Sequence, residues 1–175
     1  MSSISLIFLI DIALNESFGI IKALRIAQEC KAHIVSLDSN RNTISLSLKD
    51  PSYDDIKCLS RIDGYVSIEP RIIINLCNHK VDLFSLLRNT NLNYKRFSSL
   101  GRLICFIELK KGVIAIWKTS KECIFLGRYL NTKRVSPPIS PSSYTVIGKW
   151  TEVLSIIDTL LSDLNEFIHQ IASYL

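Results

Sequence analysis

The chain has 175 residues, of which 47% are hydrophobic and 21% are charged, and its formal net charge is +5 at pH 7. This composition excludes an intrinsically disordered chain, and the length suffices to bury a core without metal ions or disulfides. No apolar run reaches the roughly 20 residues that a helix needs to cross a bilayer, so we expect no membrane contact.

The first predicted elements are a strand, a helix and a hairpin. Alternating apolar residues in ISLIFLIDIAL (4–14) indicate a strand, and Asn15 is a suitable N-cap for a helix that runs to about Cys30. HIVSLD and TISLSL, separated by SNRN, are typical of a hairpin. The buried stripe of the helix is expected to hold Phe18, Ile20, Ile21, Leu24 and Ala27.

A second helix and a strand follow the hairpin. Asp50-Pro51 predicts the helix start, with proline in the first turn, and the apolar stripe of this helix ends at Gly64. Residues 65–77 indicate a strand that Pro70 interrupts. The resulting order, β-α-β-β-α-β, is that of a ferredoxin-like half. We therefore predict a first α+β lobe over residues 1–74.

A second lobe is predicted over residues 75–175. After a short helix, LGRLICFIEL, VIAIWK and CIFLGRY are joined by KKG and TSKE, which predicts an antiparallel meander with two apolar faces. A loop rich in proline and serine follows at 131–143 and is expected to be exposed. The expected fold is α+β: an antiparallel sheet with helices on one side, built from two β-α-β lobes.

The end of the chain, residues 149–175, is predicted to be one long amphipathic helix. A helix of this length exceeds what a small sheet needs to cover it, so its far end is a candidate for binding a protein partner or a second copy. The alternative is that it simply lies along the sheet. The candidate partner-binding residues are Ile157, Leu164, Phe167 and Ile171.

The five cysteines are odd in number and scattered, with no spacing of the kind that zinc sites require. We therefore expect reduced core residues, no bound metal and a cytoplasmic protein. The cysteines are Cys30, Cys58, Cys77, Cys105 and Cys123.

Catalytic motifs are missing from the sequence, including glycine-rich phosphate loops, the HExxH metal motif and the GxSxG nucleophile motif. Cys77, His79 and Asp82 are the only nucleophile, base and carboxylate that lie close together in sequence. A strand residue and a helix-entry residue usually point in different directions, so an ordinary turn histidine is the better interpretation. We expect no enzyme and no cofactor.

Positive charge is concentrated in residues 88–134, which hold eleven basic and two acidic side chains, mainly at strand ends and turns. Such a segment indicates an anionic partner, and nucleic acid is the commonest; the alternative is a solvated face. The aromatic residues nearby could stack on bases or could pack under the last helix. The candidate nucleic-acid-binding residues are Arg96, Phe97, Arg102, Lys110, Lys111, Trp117, Lys118, Lys121 and Arg128.

The segments RIIINLC, KVDLFSLLRN, YKRF, AIWKTSK and the last helix follow one another in an order that resembles a half-repeat of the TATA-binding protein fold over about residues 71–165. YKRF and AIWKTSK are similar to the aromatic-basic stretch and the hairpin of that family. The resemblance implies that Phe97 and Trp117 match the aromatics that wedge between base steps, and that Asn75 matches a strand asparagine near the pseudo-dyad. It further implies a role in transcription.

Three functions are compatible with these patterns. The first is a non-enzymatic nucleic-acid-binding module whose basic strands meet DNA or RNA. The second is a protein-interaction or assembly subunit that docks through its last helix and an exposed sheet edge, with the basic segment facing an acidic partner. The third is a ferredoxin-like domain that binds a small effector between its lobes.

Overall fold

The computed structural model describes residues 3–97, 101–131 and 146–175. Within these ranges the chain forms nine strands in an open antiparallel sheet and four helices, the last of which is long. The predicted α+β fold class is therefore confirmed. The loop predicted at 131–143 lies, apart from Asn131, outside the described residues.

The helices are α1 (Ile20–Glu29), α2 (Tyr53–Leu59), α3 (Leu83–Asn89) and α4 (Trp150–Ala172). The strands are β1 (Ile4–Leu14), β2 (His33–Asp38), β3 (Thr43–Lys49), β4 (Gly64–Asn75), β5 (Asn93–Arg96), β6 (Leu103–Glu108), β7 (Val113–Lys118), β8 (Ile124–Leu130) and β9 (Val146–Lys149). Hydrogen-bonded neighbours follow the order β2-β3-β1-β4-β8-β7-β6-β5, and β9 pairs with β4.

The chain divides into two compact units, each built from separate stretches of sequence. The described part of unit 1 consists of residues 3–5, 71–97, 101–131 and 159–175. The described part of unit 2 consists of residues 6–70 and 146–158. Strand β4 and helix α4 each contribute residues to both units. The predicted lobe boundary at residues 74 and 75 stays a prediction.

The strands of unit 2 follow the alternation seen in the sequence. In β1, Phe8, Ile10 and Ile12 are fully buried, while the residues between them are partly or fully exposed. Strand β1 pairs antiparallel with β3, and β3 pairs antiparallel with β2, which confirms the predicted hairpin. A strand with one buried face shows this period of two because successive side chains point to opposite faces.

Helix α1 begins at Ile20, with Gly19 as its N-cap, and not directly after Asn15 as predicted. The backbone carbonyl of Asn15 instead accepts a hydrogen bond from the Phe18 amide at 2.8 Å, which forms a turn before the helix. The predicted stripe is also wrong in part, because Ile21 is 76% exposed. Small alanines occupy part of the true buried face, and they are a weaker signal than large apolar residues. The buried residues of α1 are Ala23, Ile26 and Ala27.

Helix α2 begins at Tyr53, two residues after Pro51, the proline predicted to lie in its first turn. Ser52 and Asp55 form a capping box: the Ser52 hydroxyl accepts from the Asp55 amide at 3.2 Å, and the Asp55 carboxylate accepts from the Ser52 amide at 2.9 Å. These bonds satisfy amides that a helix start would otherwise leave unpaired. Pro51 therefore precedes the cap and does not lie in the first turn.

Strand β4 runs without interruption through Pro70, contrary to the prediction. Its pairing with β9 ends at Ile68 and its pairing with β8 begins at Arg71, so Pro70 falls between the two ladders. A proline in a strand is tolerated where its missing amide breaks no ladder hydrogen bond. Strand β9 was not predicted, because VIGK is too short to show a period.

Unit 1 contains the predicted meander, in which β5, β6, β7 and β8 pair antiparallel in sequence order. The first five residues of β6 and of β7 are all buried, so both faces of these strands are covered, which the apolar pattern allows but does not require. On one face Trp117, Phe106 and Leu103 belong to a buried cluster, against which the half-buried Phe97 packs.

Asp163 is a buried acid in unit 1, with 3% of its surface exposed. Its carboxylate accepts hydrogen bonds from the Tyr129 hydroxyl and from the Lys111 amide, both at 2.9 Å. Gly112 lies beside this group, where a β-carbon would come within 2.5 Å of the Tyr129 ring and would also meet the Leu130 carbonyl. The β6–β7 turn therefore requires glycine at this position so that the tyrosine can reach the carboxylate.

Four of the five cysteines form disulfides, so the prediction of reduced cysteines is wrong. Cys30 pairs with Cys58 in unit 2, and Cys77 pairs with Cys123 in unit 1, with Cα atoms 5.7 and 4.9 Å apart. Cys105 is a free, buried thiol. Sequence spacing did not reveal these pairs because 28 and 46 residues separate the partners.

Helix α4 confirms the predicted long C-terminal helix, and its apolar stripe is buried. Among the residues that the structure describes, no helix is long and apolar enough to cross a membrane. The buried apolar residues of α4 are Trp150, Val153, Ile157, Leu160, Leu161, Leu164, Phe167 and Ile171.

Candidate nucleic-acid interface

Four of the predicted basic residues meet at one end of the unit 1 meander. Lys118 ends β7, and its amide donates to the Arg102 carbonyl at 2.7 Å. Lys121 lies in the turn between β7 and β8, and Arg96, at the end of β5, pairs with Cys105 near the start of β6. We call Arg96, Arg102, Lys118 and Lys121 the basic end.

The other two predicted lysines, Lys110 and Lys111, lie in the β6–β7 turn at the opposite end of the same strands. With a rise of about 3.3 Å per residue, the six residues of β7 separate the two ends by about 20 Å. The predicted group of cations is therefore divided into two, and we call Lys110 and Lys111 the turn lysines.

The side chains of the basic end are exposed and take part in no ion pair among the described residues. Two ion pairs among the described residues belong to unit 2, where Arg41 pairs with Asp38 and Arg61 pairs with Glu29. The Arg96 guanidinium lies over the Phe84 ring, 4.1 Å from its centroid. Exposed cations that form no ion pair within the described ranges are available to an anionic ligand.

A cleft of about 490 Å³ adjoins the basic end, within unit 1. Its apolar lining comes from Leu83, Ile104 and Phe125, each less than 10% exposed. Arg96 and Lys118 of the basic end also line it. A volume of this order is typical of small-ligand sites, which combine an apolar lining with a few polar groups.

The remaining polar groups of the cleft are partly engaged with one another. Asp82 caps α3: its carboxylate accepts from the Ser85 amide at 2.8 Å and from the Ser85 hydroxyl at 3.0 Å. These hydrogen bonds, assisted by the charge of Arg88, hold the pKa of Asp82 below its ordinary value. Arg88 also donates to the Ser85 hydroxyl at 2.9 Å, and Glu122 is exposed at the rim.

Two predicted contact residues are buried and are excluded from this surface. Trp117 is 4% exposed and packs in the cluster with Phe106, and Arg128 is 1% exposed. Phe97 is half-buried and stacks edge-on against Phe106, with ring centroids 4.9 Å apart. Strand alternation places such residues on a face, but it does not show that the face is covered.

The predicted partner-binding residues of the last helix are also unavailable. Ile157, Leu164, Phe167 and Ile171 each have no exposed surface, because they form the side of α4 that packs into the protein. Their burial agrees with the alternative interpretation, in which the helix lies along the sheet.

The predicted cluster of Cys77, His79 and Asp82 does not assemble into a nucleophilic site. Cys77 is in a disulfide, and Asp82 caps α3. The Nε2 atom of His79 instead lies 2.7 Å from the hydroxyl oxygen of Ser3, a residue 76 positions away that no sequence pattern pairs with it. Within the described ranges, no group of three or more histidine, cysteine or acidic residues could hold a metal ion.

Asn75, which the TATA-binding protein resemblance singles out, is the last residue of β4. Its side-chain oxygen accepts from the Cys77 amide at 3.0 Å, and its own amide donates to the Ser3 carbonyl at 2.7 Å. Comparison with known proteins adds no family: no family model matches the chain, and no curated protein matches its sequence.

Proposed function

We propose that unit 1 is a non-enzymatic nucleic-acid-binding module and that its contact surface is the basic end. The observation that carries this proposal is that four exposed cations, none of them in an ion pair with another described residue, lie at one end of the meander. Arginine and lysine at such a surface neutralise phosphates and release counterions, which gives affinity that falls with salt. A role in transcription, which the family resemblance implies, belongs to the same proposal.

The test is the salt dependence of binding to labelled duplex DNA, single-stranded DNA and RNA. Four phosphate contacts predict a slope of log K against log salt of about −3 for a single strand. Changing all four residues of the basic end to glutamine should remove most of this slope. A matched control changes the two turn lysines to glutamine, and the full slope should then be retained.

Two results would refute the proposal. One is an unchanged affinity when the four residues of the basic end are changed to glutamine. The other is an equal effect of the turn lysines, which would indicate attraction by net charge alone. Thermal unfolding of each variant checks that the fold is intact, and all six substituted side chains are exposed.

A second candidate function, docking of another protein on a sheet edge, is favoured by unit 2. Strand β2 is the last strand on its side of the sheet order, and its Val35 and Leu37 are 56% and 46% exposed. Edge strands with exposed apolar residues tend to pair with another chain. Light scattering across a concentration series, with Val35→Lys as the comparison, would detect self-association through this edge.

A cytoplasmic location was predicted because reduced cysteines were expected, and this location stays a proposal. The two disulfides weigh against a cytoplasmic protein, because structural disulfides are rare in that compartment and persist in oxidising ones.

A further inference from the structure

The cleft beside the basic end has the size of a site for a single small ligand. Its volume of about 490 Å³ lies in the range found for pockets that enclose one small molecule. Leu83, Ile104 and Phe125 give it an apolar floor that would shield part of a ligand from water. A ligand that fits must therefore have an apolar body.

The wall of the cleft presents a flat stacking surface. Phe84 lines the cleft, and the Arg96 guanidinium lies over its ring at 4.1 Å. The Tyr94 ring supports Phe84 from another side, with centroids 6.1 Å apart. Arginine planes and aromatic rings are the groups on which unpaired bases stack. The apolar body that suits this wall is planar.

The rim of the cleft is positively charged and carries cations that can pair with a phosphate of the ligand. Lys118 is exposed without an ion pair among the described residues, and Arg88, which also lines the cleft, uses one nitrogen on Ser85. Of the two acids, Asp82 is committed to its cap, and Glu122 can accept a hydrogen bond from an amino group. The rim therefore suits a ligand with a phosphate and a hydrogen-bonding edge.

We propose that this cleft binds one unpaired nucleotide of a single-stranded nucleic acid. The base stacks on the Arg96 guanidinium, which Phe84 supports, and the phosphate pairs with Lys118 and Arg88. This inference rests on the proposed function and narrows it, because a duplex has no free base to insert. A free mononucleotide has the same chemistry, so the experiment separates the two sources.

The experiment measures binding of a labelled single-stranded oligonucleotide and its competition by a nucleoside monophosphate, the matching nucleoside and inorganic phosphate. The nucleoside monophosphate should compete with the oligonucleotide. Inorganic phosphate should bind at least about tenfold more weakly than the monophosphate, because stacking of one base increases affinity by about that factor. Arg96→Lys keeps the charge and removes the plane, so monophosphate binding should fall about tenfold. Lys118→Gln should weaken binding of the monophosphate and leave binding of the nucleoside unchanged. Lys110→Gln, at the opposite end of the strands, should change the affinity for neither ligand.

Each contrary outcome identifies what has failed. If the oligonucleotide binds but the monophosphate does not compete, or if Arg96→Lys has no effect, the cleft inference is overturned and the proposed function stands. If phosphate competes as well as the monophosphate, the cleft is only an anion site. If the monophosphate binds and the oligonucleotide does not, the proposed nucleic-acid function is overturned, and the ligand is a free nucleotide.

Discussion

Replacing Tyr129 by phenylalanine tests whether the buried Asp163 carboxylate stabilises unit 1. The variant removes the hydroxyl that donates to this carboxylate at 2.9 Å and leaves the hydrogen bond from the Lys111 amide in place. A hydrogen bond to a charged group contributes roughly 1.5–3 kcal/mol, and the ring itself remains. We expect the free energy of unfolding to fall by about 2 kcal/mol.

Asp163→Asn is the second single variant of a double-mutant cycle with Tyr129→Phe. Both hydrogen bonds end on the same Asp163 oxygen, Oδ2, so the amide oxygen of asparagine can accept both of them. The charge that strengthens the bonds is lost, so this variant should lose about 1–2 kcal/mol. In the double variant the two losses should not add, and the coupling energy should be about 1–2 kcal/mol. Urea unfolding followed by far-UV circular dichroism, with the disulfides intact, measures all four proteins.

The matched control is Asp158→Asn, which changes an exposed acid on the same helix and should alter stability by less than about 0.5 kcal/mol. A loss below that value for Tyr129→Phe, or a coupling energy of zero, would show that the Asp163 contacts do not contribute to stability as argued.

Three further predictions concern cysteines and a helix cap. Burial raises the pKa of the Cys105 thiol to about 12, so the native protein should resist alkylation. Mass spectrometry should find one alkyl label on the unfolded chain with its disulfides intact, and five labels after reduction. Changing Cys77 and Cys123 to serine should cost about 4 kcal/mol in urea unfolding, given their separation of 46 residues; a loss under about 1 kcal/mol would contradict the chain-entropy reasoning. Asp82→Ala should cost about 1 kcal/mol at neutral pH by removing an N-cap. Because hydrogen bonds from Ser85 lower the pKa of Asp82, this difference should persist above pH 3.8 and vanish as pH falls through the lowered pKa; a constant difference would refute the assignment.

The strands were predictable because their signal is local. In β1 and β3 the apolar residues alternate over the whole strand, and burial of one face follows directly from that period. The helix starts were harder, since a cap depends on a few backbone hydrogen bonds. Gly19 and Ser52 both cap helices that the sequence placed earlier.

The candidate site was predicted by residue type but not by position. The sequence identifies the lysines and arginines at the turns, yet only the strand register shows that Lys118 lies beside Arg102 and far from Lys110. Alternation likewise could not reveal that Trp117 and Arg128 lie on a covered face. The cleft depends on α3 meeting the strand ends, which is a contact between distant parts of the chain.

Strand β4 and helix α4 belong to both units, and this arrangement has a consequence for synthesis on the ribosome. Unit 2 begins near the N-terminus, yet it lacks β9 and the Trp150 indole, which donates to the Ile62 carbonyl at 2.6 Å, until residues 146–158 have emerged. Domains that are continuous in sequence can fold one after another as the chain is made. Here neither unit is complete until residues within 146–175 have been synthesised, so strand edges of both units stay unpaired up to that point.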